Sequence, residues 1–344
     1  MRLGQFRNRA AALALAIGMA ACGSPEPEGE ATPASESPSV QAPETTTTAE
    51  LSVAEFAVPT GTRPHDVAPA ADGGVWFTAQ GSGQLGHLDP ASGKVELIDL
   101  GNGSAPHGVI TGSDGAAWIT DGGLNAIVRV DAGSREVKRF DLPGGSANLN
   151  TAAFDGSGVL WFTGQGGIYG RVDPNGEVKT FPAPKGRGPY GITSTPDGTV
   201  WFSSLAGSYI ARIDSATGEI KSFDVPTAGG GARRVWSDSS GKLWVAEWFA
   251  GKLGRFDPAT EEWKEWPLPG DNPQPYAVFV DDTDAVWVTD FGANAILRFD
   301  PGTEQFQAFP SRRPNANVRQ LLGRPGEVWG AESGTSRLVR IGSG

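Results

Sequence analysis

Seven tryptophans, Trp76, Trp118, Trp161, Trp201, Trp244, Trp287 and Trp329, are spaced by 42, 43, 40, 43, 43 and 42 residues. A period of this size means one supersecondary unit repeated around a shared core, and it has to be read before any single motif. Each copy runs alike. A Pro-containing start (Arg63-Pro64-His65-Asp66-Val67, Gly188-Pro189-Tyr190-Gly191-Ile192) leads to an Asp-Gly turn (Asp72-Gly73, Asp197-Gly198) and then to the Trp segment (Val75-Trp76-Phe77-Thr78, Val200-Trp201-Phe202-Ser203). A third segment follows, such as Ile127-Val128-Arg129-Val130, and a Gly-bearing turn joins it to a fourth, such as Val137-Lys138-Arg139-Phe140. Four short β-rich segments divided by turn residues are four antiparallel strands. The chain is therefore expected to be all-β, a seven-bladed β-propeller over residues 51–344, with the tryptophans packed between blades.

Ring closure is legible too. The last copy ends after a third strand, Leu338-Val339-Arg340-Ile341, whereas Leu51 to Val58, ahead of the first copy, has the fourth-strand pattern. The N-terminal strand is expected to complete the seventh blade and so remove the open edges.

Residues 1–21 read as an address. Arg2, Arg7 and Arg9 precede the apolar run Ala10 to Ala21, too short to span a bilayer but suited to a secretory signal. It ends in Met19-Ala20-Ala21-Cys22-Gly23-Ser24, which resembles a bacterial lipobox and marks Cys22 as the lipidation site. Cys22 is the single cysteine, so no disulfide braces the fold. Residues 22–50, dominated by Pro, Glu, Ser, Thr and Ala, are expected to be a disordered tether reaching roughly 30 Å. The expected product is an exported monomer, lipid-anchored in the bacterial cell envelope, whose only membrane contact is Cys22. A net charge of -11 with no basic run makes nucleic acid a poor partner.

Function is sought at the channel mouth. If the residues eleven before and three after each Trp are cross-strand partners at one end of the inner hairpins, they form two rings of side chains. The first reads His65, His107, Asn150, Tyr190, Arg233, Tyr276, Val318, and the second Ala79, Asp121, Gly164, Ser204, Glu247, Asp290, Glu332. A register slip of one residue is expected, if anywhere, in the third and seventh copies. His65 and His107 with Asp121 and Glu332 provide a general base with an orienting acid, or a divalent-metal site. Asn150, Tyr190, Arg233, Glu247, Tyr276 and Asp290 would line the rest as substrate-binding groups, Arg233 meeting an anionic group or else pairing with Glu247. His87 is expected to be a solvated surface residue.

The repeated pattern seen in Gly188-Pro189-Tyr190-Gly191-Ile192, Leu243-Trp244-Val245-Ala246-Glu247-Trp248 and Leu253-Gly254-Arg255 resembles the virginiamycin B lyase (streptogramin lyase) family of seven-bladed propellers. The resemblance implies opening of the ester ring of type B streptogramins by β-elimination, with Mg²⁺ polarising the substrate and a histidine taking the α-proton. His65 matches the family's Arg-Pro-His motif. Ala105-Pro106-His107 keeps the second histidine of a Glu-Pro-His motif without its Glu, and Asp121 stands where a further Glu is usual. On this reading His107 is the base, His65 a substrate or metal partner, Asp121 and Glu332 carboxylates for Mg²⁺, and the substrate a small cyclic peptide or lactone. The other readings are a non-catalytic envelope propeller that binds a peptide, glycan or protein in its funnel, and a lactonase of the gluconolactonase type. The last family has six blades, against seven here.

Overall fold

A computed structural model describes residues 50–343; the expected signal sequence, Cys22 and all but the last residue of the tether lie outside them. The described residues form 28 strands in seven four-stranded antiparallel sheets and contain no helix. Blade 1 consists of Pro64–Pro69, Val75–Ala79, Gln84–Leu88 and Val95–Asp99 from the axis outward, and the next five blades repeat that order. In blade 7, Val318–Arg324, Glu327–Glu332 and Arg337–Ser343 are completed by Leu51–Ala57, paired in register from Leu51 with Ser343 to Ala57 with Arg337. The first and last strands thus close the ring as the sequence predicts.

The repeat tryptophans are core. Trp76, Trp161, Trp244 and Trp329 are fully buried, each packed with apolar residues between sheets. Several indole N–H groups find a carboxylate six residues earlier: Trp161 donates to Asp155 (2.9 Å), Trp244 to Asp238 (3.0 Å) and Trp287 to Asp281 (2.7 Å). The same aspartates accept backbone N–H groups of the hairpin turn, so one carboxylate fixes both turn and ring.

One feature of the inner hairpins sets the geometry of the mouth. In each blade the register shifts by one residue near the start of the innermost strand, at a β-bulge. In five blades a hydroxyl two residues after the Trp braces it. Thr78, Thr120, Thr163, Ser203 and Thr289 accept from Asp66, Gly108, Thr151, Gly191 and Ala277 N–H. Thr78, Thr120 and Ser203 also donate to the carbonyls of His107, Asn150 and Arg233 in the next blade (2.8, 2.5 and 2.8 Å). The bulge re-aims the side chain it carries. Gly108 sits where a Cβ would meet the Asn150 carbonyl at 2.6 Å and the Thr120 hydroxyl at 2.8 Å, so only glycine lets these two blades approach.

Candidate functional site

The bulge corrects the expected pairing. The residue three after the Trp lies opposite the one twelve before it in six blades, for example Pro64 with Ala79 and Pro106 with Asp121. In blade 7 the inner hairpin is one residue shorter, so Val318 pairs with Glu332 and Arg319 takes the ring place expected for Val318. No such shortening occurs in blade 3, where Ala153 faces Trp161 as Ala68 faces Trp76. The two expected rings therefore part company.

Residues of the second ring hold loops. The Asp121 carboxylate is fully buried and accepts from Ala105 N (2.9 Å), Gly123 N (3.0 Å), Leu124 N (2.9 Å) and Ser104 Oγ (2.5 Å). Asp290 accepts from Gln274 N and Gly292 N, and Glu332 from Thr335 Oγ1. The Asp121 carboxylate, satisfied by three backbone N–H groups and a hydroxyl, stabilises its loop and is poorly placed to serve as a ligand or an orienter, whereas Asp290 keeps one oxygen without a partner and Glu332 meets only the Thr335 hydroxyl. Asp121 and Glu332 lie outside the cluster formed around the histidines.

Glu247 differs from its ring mates. It is buried, neither carboxyl oxygen has a partner, and burial with the nearby Glu265 raises its pKa to about 8. Lys252, which pulls the other way, is bound to Glu265 and Thr227. A carboxyl with a raised folded pKa binds its proton more tightly in the native state, so stability falls as pH rises from the unfolded value, near 4.5, through the folded one. Glu247→Gln should therefore raise unfolding free energy by roughly 3 kcal/mol at pH 7 and change it little at pH 4, measured by urea denaturation at the two pH values.

First-ring residues do converge. The His65 and His107 rings stand 3.9 Å apart, centroid to centroid. His107 Nδ1 lies 2.9 Å from the Asn150 carbonyl oxygen, which can only accept, so Nδ1 carries the hydrogen and Nε2 is the lone-pair nitrogen. His65 Nδ1 donates to Asp66 (2.8 Å), leaving Nε2 to face the Tyr276 hydroxyl at 3.5 Å. Across the channel, Arg234 donates to both oxygens of Asp66 (3.1 and 3.2 Å). The Tyr190 and Tyr276 hydroxyls are 2.8 Å apart; Arg233 donates to the first (2.9 Å) and Arg319 to the second (3.2 Å). Asn150 contributes its backbone, since its side chain is turned back to the Asn148 carbonyl.

Electrostatically this is a positive site. Burial first, and then Arg319, Arg234 and Arg233, hold the His65 pKa well below its usual value; burial and His65 do the same for His107. Burial alone would raise the Tyr276 phenol, but Arg233, Arg319 and Arg234 together bring it below normal. Both imidazoles are neutral at pH 7.

Two residues reach the rim from a ring that sequence reasoning missed, four after the Trp. Trp248 lies under the Arg233 guanidinium (4.8 Å), and Phe291 stacks on Tyr276 (4.6 Å, 10°). Asp66, Arg234 and Arg319 were missed as well. Only the position ten before the Trp, which holds Asp66 and Arg234 in different copies, carried a signal for the buried pair. Two expectations fail elsewhere: Arg233 does not pair with Glu247, and His87 is packed on Trp76 (4.5 Å) with Nε2 bound to Asp72, not solvated.

A divalent metal can be tested against this donor set. Among the described residues the one group of three potential ligands is His65, Asp66 and His107. Mg²⁺ requires an oxygen-rich octahedron. Here two donors are imidazole nitrogens, the single carboxylate is taken up by His65 and Arg234, and three guanidiniums surround it. The residues present do not fit Mg²⁺.

Comparison with known proteins agrees with the fold and places the sequence. A solved streptogramin B lyase is 25% identical, with a TM-score of 0.79 over 86% of this chain and 98% of its own. Virginiamycin B lyase from Staphylococcus aureus is 22% identical, with a TM-score of 0.80 over 85% and 99%. A catalytically inactive variant of that enzyme has been solved with quinupristin and is 23% identical, TM-score 0.79, over the same shares. The fold is shared more widely, for example with the extracellular domain of a hybrid two-component system of B. thetaiotaomicron (17% identity, TM-score 0.65, 85% of this chain and 41% of that one). No curated protein matches the chain. The family model of the virginiamycin B lyases matches residues 99–344, most of the chain, and the chain belongs to that family.

Proposed function

We propose that the chain opens a cyclic ester by β-elimination, as a lyase of the virginiamycin B type, with His107 as the base. The observation that carries this reading is the tautomer of His107. Its Nδ1–H is committed to the Asn150 carbonyl, its ring is half-buried at the mouth, and its lowered pKa keeps Nε2 free of a proton at neutral pH. Nε2 would take the α-proton of the residue whose β-oxygen forms the ester. The Cβ–O bond breaks, a Cα=Cβ bond forms, and the acyl part leaves as a carboxylate without uptake of water. Charge building on that carboxylate would be met by Arg233 and Arg319, which the Tyr190 and Tyr276 hydroxyls hold near the histidines. No step is assigned to a metal.

The test is mass spectrometry of quinupristin after incubation with the full chain in EDTA. Elimination gives a ring-opened product of unchanged mass that carries a new double bond, whereas hydrolysis adds one water. An unchanged substrate, or a product one water heavier, would overturn the reading. Ligand retained without turnover would instead favour a binding propeller.

A further inference from the structure

We infer that the mouth is a receptor for a carboxylate-bearing ligand with an aromatic group, whose anionic end is bound by the Arg233 and Arg319 guanidiniums. This concerns the ligand class of the same mouth and rests on the reading of that mouth as the functional site, not on turnover.

Charge provides the first ground. In a chain of net charge -11, Arg233, Arg234 and Arg319 converge on one channel and meet a single carboxylate, Asp66. Arg234 is buried and neutralised by Asp66; Arg233 and Arg319 are half-buried, and no carboxylate pairs with either among the described residues. Two positive charges therefore face the mouth over a low-dielectric floor, where their field is least screened.

Geometry provides the second. Both guanidiniums are held by the same pair of phenols. Arg233 binds the Tyr190 hydroxyl and its guanidinium carbon lies 3.7 Å from the Tyr276 ring centre; Arg319 binds the Tyr276 hydroxyl and Ser333 Oγ (2.8 Å). Neutral partners fix the two side chains without discharging them. Arg233 Nε is buried and has no acceptor at all, a donor that an incoming oxygen would satisfy. Around them, Trp248 and Phe291 form a half-exposed aromatic wall on blades 5 and 6, with Phe249 standing 63% exposed beside it. Such a wall binds a planar or apolar group while the guanidiniums bind the anion. Where the Glu-Pro-His motif would supply an acid this chain has Ala105, so that position offers no negative charge to offset the guanidiniums.

The experiment is titration of the full chain, in EDTA, with N-acetyl-L-phenylalanine and separately with its uncharged amide, followed by calorimetry and by tryptophan fluorescence. The acid is expected to bind at least about tenfold more tightly than the amide, the value of one charge-assisted contact, and to weaken as salt is raised. Arg319→Gln should remove that preference, bringing the acid's affinity to within about twofold of the amide's in the same variant. Because Arg233 is sandwiched between rings, the comparison of acid and amide on the unaltered chain decides the matter even if Arg233→Gln fails to fold. Equal affinity for acid and amide, no binding of either, or binding only when Mg²⁺ replaces EDTA would each overturn the inference. Acid-selective binding without ring opening leaves this inference standing and removes the lyase reading; ring opening without acid selectivity does the reverse.

Discussion

His107→Ala is expected to lower the rate of quinupristin opening by about 10²- to 10⁴-fold, the usual worth of a positioned general base, with little change in stability. The side chain is half-buried and its one polar contact is Nδ1 to the Asn150 carbonyl, so its removal leaves no buried charge unpaired. The pH profile is a second, independent readout. The active form is the unprotonated imidazole, and burial and His65 hold its pKa well below 6.5. Turnover should then stay level as pH falls from 8 through 6.5 and decline only at lower pH. A rate that halves near pH 6.5 would mean the base is a solvated histidine, and full turnover by the alanine variant would remove His107 from the reaction. Thr120→Val tests the support behind it: Thr120 ties Gly108 N–H to the Asn150 carbonyl, so its loss should lower kcat more than it raises KM by letting that carbonyl drift.

Why the sequence revealed the architecture and blurred the site follows from how each is encoded. Trp76 and its six counterparts are spaced by the blade itself, so counting them counts sheets, and Leu51 to Val58 declares its place because strand four is missing from the seventh copy. The first ring was legible for the same reason: His65, His107, Tyr190, Arg233 and Tyr276 occupy one position of a period. A bulge leaves no mark on that period. It adds one residue to the inner strand of every copy, so in six blades pairing counted from the turn is right up to the bulge and wrong beyond it, which is why Asp121 was expected opposite His107 and is found opposite Pro106, capping a loop; in blade 7 the shorter hairpin keeps Glu332 opposite Val318 and moves the ring place to Arg319 instead. The hydroxyl two residues after the Trp was the available clue. No periodic argument pairs Asp66 with Arg234, because they meet across the axis from blades far apart in the chain, 168 residues in sequence.

That cross-channel pair carries the second large effect. Arg234→Ala should destabilise the protein by about 3–5 kcal/mol, because the Asp66 carboxylate is fully buried and would keep only His65 Nδ1–H as a hydrogen-bond donor. Removing both charges should cost far less, since an apolar pair of similar volume replaces a bond whose Coulomb gain roughly matches its desolvation cost; Asp66→Leu with Arg234→Met is the double variant to compare. The surface pair of Arg139 with Asp141 is the contrast, and Arg139→Ala should shift stability by well under 1 kcal/mol. Acid provides the sign test. Burial already raises the Asp66 pKa in the parent against the pull of Arg234, and Arg234→Ala raises it further, so the deficit is full at pH 7 and narrows as pH falls toward the unfolded value near 4, where the proton that Asp66 takes up on folding costs least. Urea denaturation of the three variants at pH 7 and pH 4 reads each of these differences. A single variant as stable as the parent at pH 7 would mean that the buried Asp66 carboxylate does not depend on Arg234 for its stability.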